Sequence, residues 1–162
     1  MVKTIYNREK AVEYAQKWAL SRNPQFYDFD SLGGDCTNFI SQCIYSGAGI
    51  MNFAPTFGWF YNSLNDRAPS WTSVEYLYNF ITANRSVGPF GEKSTKDKLE
   101  IGDLIQMQID EPFFHHTTII SKISNDEIYV CAHTNDSKNR ILSSYLYTDI
   151  RFIHILGARK WE

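Results

Sequence analysis

Apolar residues recur with the period of an α-helix in two segments of the first half of the chain. Within residues 7–22, one stripe has the spacing i, i+3, i+4, i+7, i+8 of a single helix face: Ala11, Tyr14, Ala15, Trp18 and Ala19. A second stripe with the same spacing follows a glycine pair: Cys36, Phe39, Ile40, Cys43 and Ile44. The pattern predicts two amphipathic helices. Asn7 and Asp35 are the expected N-caps, and Asn23-Pro24 and Gly47 to Gly49 are the expected ends.

The middle of the chain predicts one more helix between two irregular segments. Thr72-Ser73-Val74-Glu75 has the form of a capping box and opens a stripe of apolar residues at helical spacing: Val74, Leu77, Tyr78 and Ile81. Residues 50–70 are aromatic without a clear period, and residues 84–98 are polar and interrupted by glycine and proline. We therefore expect loops on both sides of this third helix.

The second half has the composition of β-strands. Four segments are rich in β-branched and apolar residues and lack a helical period: 104–107, 116–123, 127–133 and 151–158. Ser124-Asn125-Asp126, between two of them, is typical of a hairpin turn. Helices followed by an antiparallel sheet predict an α+β fold, and 162 residues suit a single domain spanning 1–162.

Composition and charge exclude some classes of protein. The chain is 43% hydrophobic and 21% charged, with a formal net charge of -2. Because no basic stripe is present to neutralise phosphates, we expect no nucleic-acid partner. No apolar run approaches the roughly 20 residues of a membrane span. The segment Met1-Val2-Lys3-Thr4 lacks the apolar stretch of a secretory signal, which leaves two alternatives: a cytosolic protein, or one whose leader has been removed.

Three cysteines, Cys36, Cys43 and Cys131, leave at least one thiol unpaired within the chain. Cys36 and Cys43 are seven residues apart on one predicted helix, about 10 Å along its axis, which is too far for a disulfide.

Cys36 has the surroundings of a nucleophile. Gly33 and Gly34 permit a tight turn, and Cys36 then lies in the first turn of a predicted helix. There the positive end of the helix dipole favours a thiolate, and the unpaired N–H groups could stabilise an oxyanion. The competing interpretation is that Cys36 is a small buried apolar residue.

Three of the four histidines fall in the two segments that the hairpin turn joins. A hairpin through 124–126 would bring His116 close to His133, so that one imidazole could act as base and the other could orient it. His115 and His116 point to opposite faces of a strand, and alternation does not decide which one serves. His154, on the last predicted strand, is interpreted as structural.

Four motifs together resemble a known family. They are Gly33-Gly34-Asp35-Cys36-Thr37-Asn38-Phe39-Ile40-Ser41-Gln42, Gly102-Asp103-Leu104-Ile105, His116-Thr117-Thr118-Ile119-Ile120 and Ala132-His133-Thr134-Asn135-Asp136. In this order they are similar to the bacterial putative amidase domain family, which is related to the NlpC-type and CHAP-type cell-wall hydrolases of papain-like fold. The segment from Tyr6 to Pro24 also resembles the first helix of that family.

The resemblance implies a role for each matching residue. Cys36 occupies the nucleophile position, His116 the position of the base and His133 that of the third polar residue. Asp35 matches a residue expected to cap or brace the loop. Asn135, two residues beyond His133, is an alternative orienter, and the helper glutamine of papain is absent. The second oxyanion donor stays unassigned, with Asn23 and Tyr27 as candidates.

The expected activity is hydrolysis of an amide bond, in peptidoglycan or another peptide, through a thioester on Cys36. We expect aromatic residues of 53–61 and 71–80, together with Tyr27, to wall the substrate groove, with Trp59 among them. No cofactor or metal is expected, because a zinc hydrolase would need a ligand motif that the sequence lacks. The non-enzymatic alternative is a catalytically silent module of the same fold that binds peptide or peptidoglycan.

Overall fold

A computed structural model describes all 162 residues and contains one large antiparallel sheet. Its seven strands are β1 (Val2–Thr4), β4 (Gly88–Ser94), β5 (Leu104–Gln108), β6 (His116–Ser124), β7 (Glu127–Ala132), β8 (Ser137–Ile141) and β9 (Asp149–Lys160). The strand order is β1-β9-β5-β6-β7-β8, and β4 pairs with the free side of β9. A separate hairpin consists of β2 (Tyr61–Ser63) and β3 (Asp66–Arg67). The predicted α+β class with an antiparallel sheet is confirmed.

Four helices precede most of the sheet: α1 (Arg8–Trp18), α2 (Cys36–Ala48), α3 (Pro69–Thr72) and α4 (Val74–Ala83). The side chain of Asn7 accepts a hydrogen bond from the Lys10 N–H, as expected of an N-cap. Gly49 ends α2 with a φ of 72°, a left-handed conformation that glycine adopts without strain. None of the helices has the length and apolar character needed to cross a bilayer.

The sheet separates two apolar clusters. The larger one lies between the sheet and the helices, and it includes most of the inward face of α2 together with Leu104 and Ile119. The smaller one uses the alternate residues of the same strands, such as Ile105 and Ile120. Because successive side chains of a strand point to opposite faces, the two clusters cover the two faces of the sheet.

The long strands and the turn between β6 and β7 lie where the sequence predicts them. Asn125 and Asp126 have φ values of 52° and 64°, which suit a two-residue hairpin turn, and Ser124 pairs with Glu127. Strands β1, β4 and β8 were missed. In β4, Gly88 and Gly91 interrupt the residue pattern by which a strand is recognised in the sequence. The strand nevertheless pairs along most of β9.

The first and last strands bring the two ends of the chain together. Val2 pairs with Lys160 in the β1–β9 ladder. The amino group of Met1 is 3.2 Å from a carboxylate oxygen of Glu162.

The motif Gly102-Asp103 lies at the start of β5, where Asp103 is completely buried. One carboxylate oxygen accepts hydrogen bonds from the Arg8 guanidinium at 2.7 Å and the Ile155 N–H at 2.9 Å. The other accepts from the Glu100 N–H at 2.8 Å and is 2.7 Å from Nδ1 of His154. Asp103 therefore connects the start of α1 to β5 and β9, and His154 belongs to this structural network.

Candidate active site

Cys36 is the first residue of α2 and is held there by a tight glycine turn. Gly34 has a φ of 99°, and a Cβ at this position would lie 3.4 Å from the hydroxyl of Thr134. A side chain at residue 34 would therefore be strained and would crowd the loop that follows β7. The turn places the Cys36 side chain against the beginning of β6, where 8% of the residue stays exposed.

The sulfur of Cys36 contacts the backbone on both sides of His116. Its distance to the carbonyl oxygen of His115 is 3.7 Å, and the backbone N–H of Thr117 is close enough to lower its pKa. The hydroxyl of Thr37 is 3.8 Å away. The chain neighbours of His116 thus form the surface against which the thiol packs.

Burial raises the pKa of the Cys36 thiol, even though the Thr117 N–H and the groups of Thr37 act in the opposite direction. Desolvation of the buried sulfur thus acts against the thiolate that a position at a helix N-terminus would favour, and it favours the neutral thiol.

The imidazole of His116 is buried as well, with 7% of the residue exposed. Burial lowers its pKa to about 4, and the nearby His115 and Arg140 lower it further in the same direction. Neither ring nitrogen has a hydrogen-bond partner within the chain, and the ring centre is 5.9 Å from that of Tyr145. At neutral pH the ring is uncharged and able to accept a proton.

Cys36 and His116 reach the same cavity from different faces of β6. The hydroxyl of Thr117 is 3.4 Å from that of Thr37, so Thr117 faces α2. By strand alternation His116 faces the other side, where Tyr145 lies. Both side chains line the cavity at this end of the strand, and no hydrogen bond joins the sulfur to the ring.

The cavity has a volume of about 560 Å³. Its lining comes from the glycine turn, the residues before and at the start of β6, the loop after β7, and the segment from β8 to residue 146: Gly33, Gly34, Cys36, Ile109, Asp110, His115, His116, Thr134, Asn135, Arg140, Ser144, Tyr145 and Leu146. Both histidines that the sequence could not separate, His115 and His116, are therefore beside the thiol.

His133 lies outside this cavity. Its Nδ1 is 2.5 Å from a carboxylate oxygen of Asp35, and its Nε2 donates to the carbonyl oxygen of Trp18 at 2.8 Å. The ring stacks on Phe39 of α2 with 3.9 Å between ring centres. With both nitrogens engaged, His133 is not placed to orient His116. Asn135, the alternative orienter, lies in the cavity lining.

Asp35 braces the loop before the helix. Its second carboxylate oxygen accepts hydrogen bonds at 2.9 Å from the Phe29 N–H and from the side chain of Asn38. No side chain caps α2, so the N–H groups of its first turn are free of a side-chain acceptor. Asp35 is thus the N-cap of α2 by position, and its side chain braces the preceding loop instead of bonding to the first turn.

The predicted aromatic groove is wrong. Trp59 is completely buried, and its indole N–H donates to the hydroxyl of Ser41 at 3.1 Å. Phe57 and Tyr76 border a different cavity of about 420 Å³, which does not include Cys36. Aromatic residues at this density serve the core, and periodicity alone could not separate core from groove.

The two candidate oxyanion donors are also absent from the lining of the Cys36 cavity. Tyr27 is partly exposed, and its ring packs edge-on against Phe29. The side chain of Asn23 donates to the hydroxyl of Tyr14 and accepts from the Gln25 N–H.

Arg140 and Tyr145 are cavity residues that the sequence analysis missed. Arg140 lies on β8, a strand that was not predicted, and Tyr145 follows a short 3-10 turn at Leu142–Ser144. No motif distinguished them, and only the pairing of β8 with β7 brings them to the cavity. No three His, Cys, Asp or Glu side chains lie close enough together to hold a metal ion.

The sequence model of the family described as "Putative amidase domain" matches residues 5–156. Two curated proteins of Bacillus subtilis (strain 168) are similar. "Uncharacterized protein YhbB" is 32% identical over 161 residues, which cover 93% of this chain and 50% of that protein. "Uncharacterized protein YjcM" is 22% identical over 142 residues, 83% of this chain and 32% of that protein.

The chain thus spans half the length of the first relative and about a third of the second. No solved structure matches it.

Proposed function

Because the chain belongs to the putative amidase domain family, we propose that it hydrolyses amide bonds with Cys36 as nucleophile and His116 as base. The observation that carries the proposal is the contact of the Cys36 sulfur with the backbone of His115 and Thr117, beside a cavity that His116 also lines. The sulfur is the one thiol with access to a cavity, since Cys43 and Cys131 are completely buried.

The pKa shifts favour a neutral thiol and a neutral imidazole as the resting pair. Burial raises the pKa of Cys36 and lowers that of His116 to about 4, so a preformed thiolate–imidazolium pair is disfavoured. In the first step the sulfur attacks the amide carbon while His116 takes the thiol proton. This step requires the His116 ring to turn towards the sulfur, because no hydrogen bond joins the two groups in the free protein. Such catalytic hydrogen bonds often form only when substrate is bound.

The later steps return that proton. His116 donates it to the leaving amine as the carbon–nitrogen bond breaks, which leaves a thioester on Cys36. Water, deprotonated by His116, then attacks the thioester, and the acid product leaves as the thiol is restored. The uncapped N–H groups at the start of α2 are the candidate donors to the oxyanion of both tetrahedral intermediates.

We assign the orientation of His116 to Asn135 in place of His133. Asn135 lines the cavity, whereas the ring nitrogens of His133 are bonded to Asp35 and Trp18. The proposed triad is therefore Cys36, His116 and Asn135. His133 and Asp35 act as a positioning pair that fixes the loop before the nucleophile.

The substrate class is proposed from resemblance. The order of helices followed by an antiparallel sheet, with the cysteine opening a helix, fits a papain-like fold of the NlpC and CHAP type. The motifs resemble those of the NlpC-type and CHAP-type cell-wall hydrolases, so the amide bond is proposed to lie in peptidoglycan or another peptide. The alternative is a domain that binds such a substrate without turnover. A His116 ring that cannot come within hydrogen-bond distance of the Cys36 sulfur would favour this alternative.

The test is digestion of purified peptidoglycan and of a peptide library, with mass spectrometry of the products. The Cys36→Ser protein should lose activity by at least about 10³-fold, whereas Cys43→Ala, a matched change in the same helix, should retain it. EDTA should have no effect. A Cys36→Ser protein as active as the parent would overturn the proposal.

The histidines are separated in the same assay. His116→Gln should abolish turnover and His115→Gln should not, because His115 contributes only its carbonyl oxygen to the sulfur contact. Asn135→Ala should lower kcat with little change in stability, whereas His133→Ala should mainly lower stability. An active His116→Gln protein together with an inactive His115→Gln protein would transfer the role of base to His115.

A further inference from the structure

We propose that Arg140 forms a carboxylate-binding subsite beside Cys36, so that the preferred amide substrate carries a carboxylate close to the bond that is cleaved. The inference rests on the proposed function of the same cavity. It adds the chemical class of the group that the enzyme recognises.

The position of Arg140 carries the first step of the argument. This half-buried residue of β8 lines the cavity that also contains Cys36 and His116. Its guanidinium carbon is 3.7 Å from the ring centre of Tyr145, and the same ring is 5.9 Å from that of His116. The charge is close enough to contribute to the low pKa of His116.

The guanidinium is held in place before any ligand binds. Its Nε donates to the hydroxyl of Ser144 at 2.8 Å, and one terminal nitrogen donates to the Ser144 carbonyl oxygen at 3.2 Å. The stacking on Tyr145 fixes the plane of the group. The other terminal nitrogen, Nη1, donates to no group of the protein, and a guanidinium has five N–H donors in all.

The charge of Arg140 has no counter-ion in the protein. Arg8 and Arg151 do have one, in Asp103 and Glu75. Arg67 and Arg159 also lack a counter-ion, but they lie outside the Cys36 cavity. Asp110 is the one carboxylate in the cavity lining, and it forms no ion pair with Arg140. A fixed, partly desolvated guanidinium with unused donors suits a carboxylate, which accepts two parallel hydrogen bonds from it.

The test compares two alkylating reagents that differ in charge. Iodoacetate carries a carboxylate and iodoacetamide is neutral, and both transfer a two-carbon group to the Cys36 sulfur with release of iodide. The ratio of their rates at Cys36, followed by peptide mass spectrometry, measures attraction of a carboxylate independently of turnover. In Arg140→Gln this ratio should fall about tenfold, which corresponds to one charge-assisted hydrogen bond.

Arg159→Gln is the matched control. Arg159 also stacks on an aromatic ring at 3.7 Å, that of Phe90, and donates to the backbone carbonyl of Asn84, but it lies outside the cavity. Its ratio should equal that of the parent protein. Arg140→Lys should keep part of the preference, and about 1 M salt should reduce it in the parent protein without any substitution.

Each outcome has one meaning. If Arg140 has only a structural role, its replacement changes both rates alike, the ratio stays constant and the inference is overturned while the proposed function stands. If neither reagent labels Cys36 in the folded protein, although both label it after unfolding, the sulfur is closed to the cavity. The inference is then overturned, and the digestion assay alone decides the proposed function.

A second measurement identifies the source of the carboxylate. Paired peptides carry either a free or an amidated C-terminus, and either Glu or Gln beside the cleaved bond. We expect neutralisation of one of these carboxylates to lower kcat/KM about tenfold in the parent protein and not in Arg140→Gln. Equal kcat/KM values for all the peptides in the parent protein would contradict the inference.

Discussion

Burial of the His116 imidazole makes the stability of the protein depend on pH. The folded-state pKa is about 4 and the reference value is 6.5, so between these pH values the unfolded chain binds more protons than the folded one. The stabilisation is complete above about pH 6.5 and is lost as the pH falls towards 4. Its size is up to about 3 kcal/mol, because each pKa unit corresponds to about 1.4 kcal/mol.

We expect the parent protein to lose more stability than His116→Gln when the pH is lowered from about 7 to about 4.5. Urea unfolding followed by circular dichroism at the two pH values measures the difference. The difference should be roughly 2 to 3 kcal/mol. Equal losses in the two proteins would show that His116 is not buried in the neutral form.

At the residue scale, the sequence correctly predicts that Cys36 lies in the first turn of α2, but it misplaces the side chain of His133. The prediction assumed that alternation continues beyond β7, so that residues 133 and 135 share a face. In the structure β7 ends at Ala132, and Thr134 and Asn135 both have left-handed φ values, 64° and 58°. The chain turns there, which sends His133 towards α2 and Asn135 into the cavity.

The helices were the most predictable elements, because their apolar stripes reflect burial directly. Predicted helix 7–22 ends earlier, at Trp18, and α2 and α4 begin where the sequence indicated. Strands β4 and β8 were not predictable, because their residues are largely polar or glycine and their stability comes from pairing with distant strands. For that reason Arg140 could not be recognised from sequence as a cavity residue.

Packing of α2 against the segment before α1 depends on Gly47. A Cβ at this position would lie 2.6 Å from the Tyr6 ring and 2.7 Å from the carbonyl oxygen of Asn7. Gly47→Ala should therefore destabilise the protein by about 1 to 3 kcal/mol, despite the better helix propensity of alanine. Thermal unfolding measures the change. Ser46→Ala, one residue earlier, gives the effect of propensity at a partly exposed position, and a stabilised Gly47→Ala would contradict the packing argument.

At the scale of the whole molecule, Asp103 joins three parts of the chain that are distant in sequence. Its buried carboxylate accepts bonds from the α1 segment, from the loop before β5 and from β9. Asp103→Ala leaves Arg8 and two backbone N–H groups without their acceptor. We expect a loss of about 3 to 5 kcal/mol, typical of a broken buried ion pair.

Chemical denaturation of Asp103→Ala and of Asp97→Ala provides the comparison. Asp97 is a fully exposed aspartate six residues earlier, and its replacement should leave the denaturation midpoint unchanged. A similar midpoint for both variants would exclude Asp103 as a structural hub. The fold would then depend mainly on its apolar clusters.

The adjacency of Met1 and Glu162 determines how the domain would respond to mechanical force. Strand β1 runs antiparallel to β9, with the two ends of the chain at the same end of the ladder. A load applied between the termini would break the β1–β9 hydrogen bonds one after another, as in unzipping, so that β1 peels away at low force. The rest of the sheet would then bear the load, and Cys36 on α2 would still face β6.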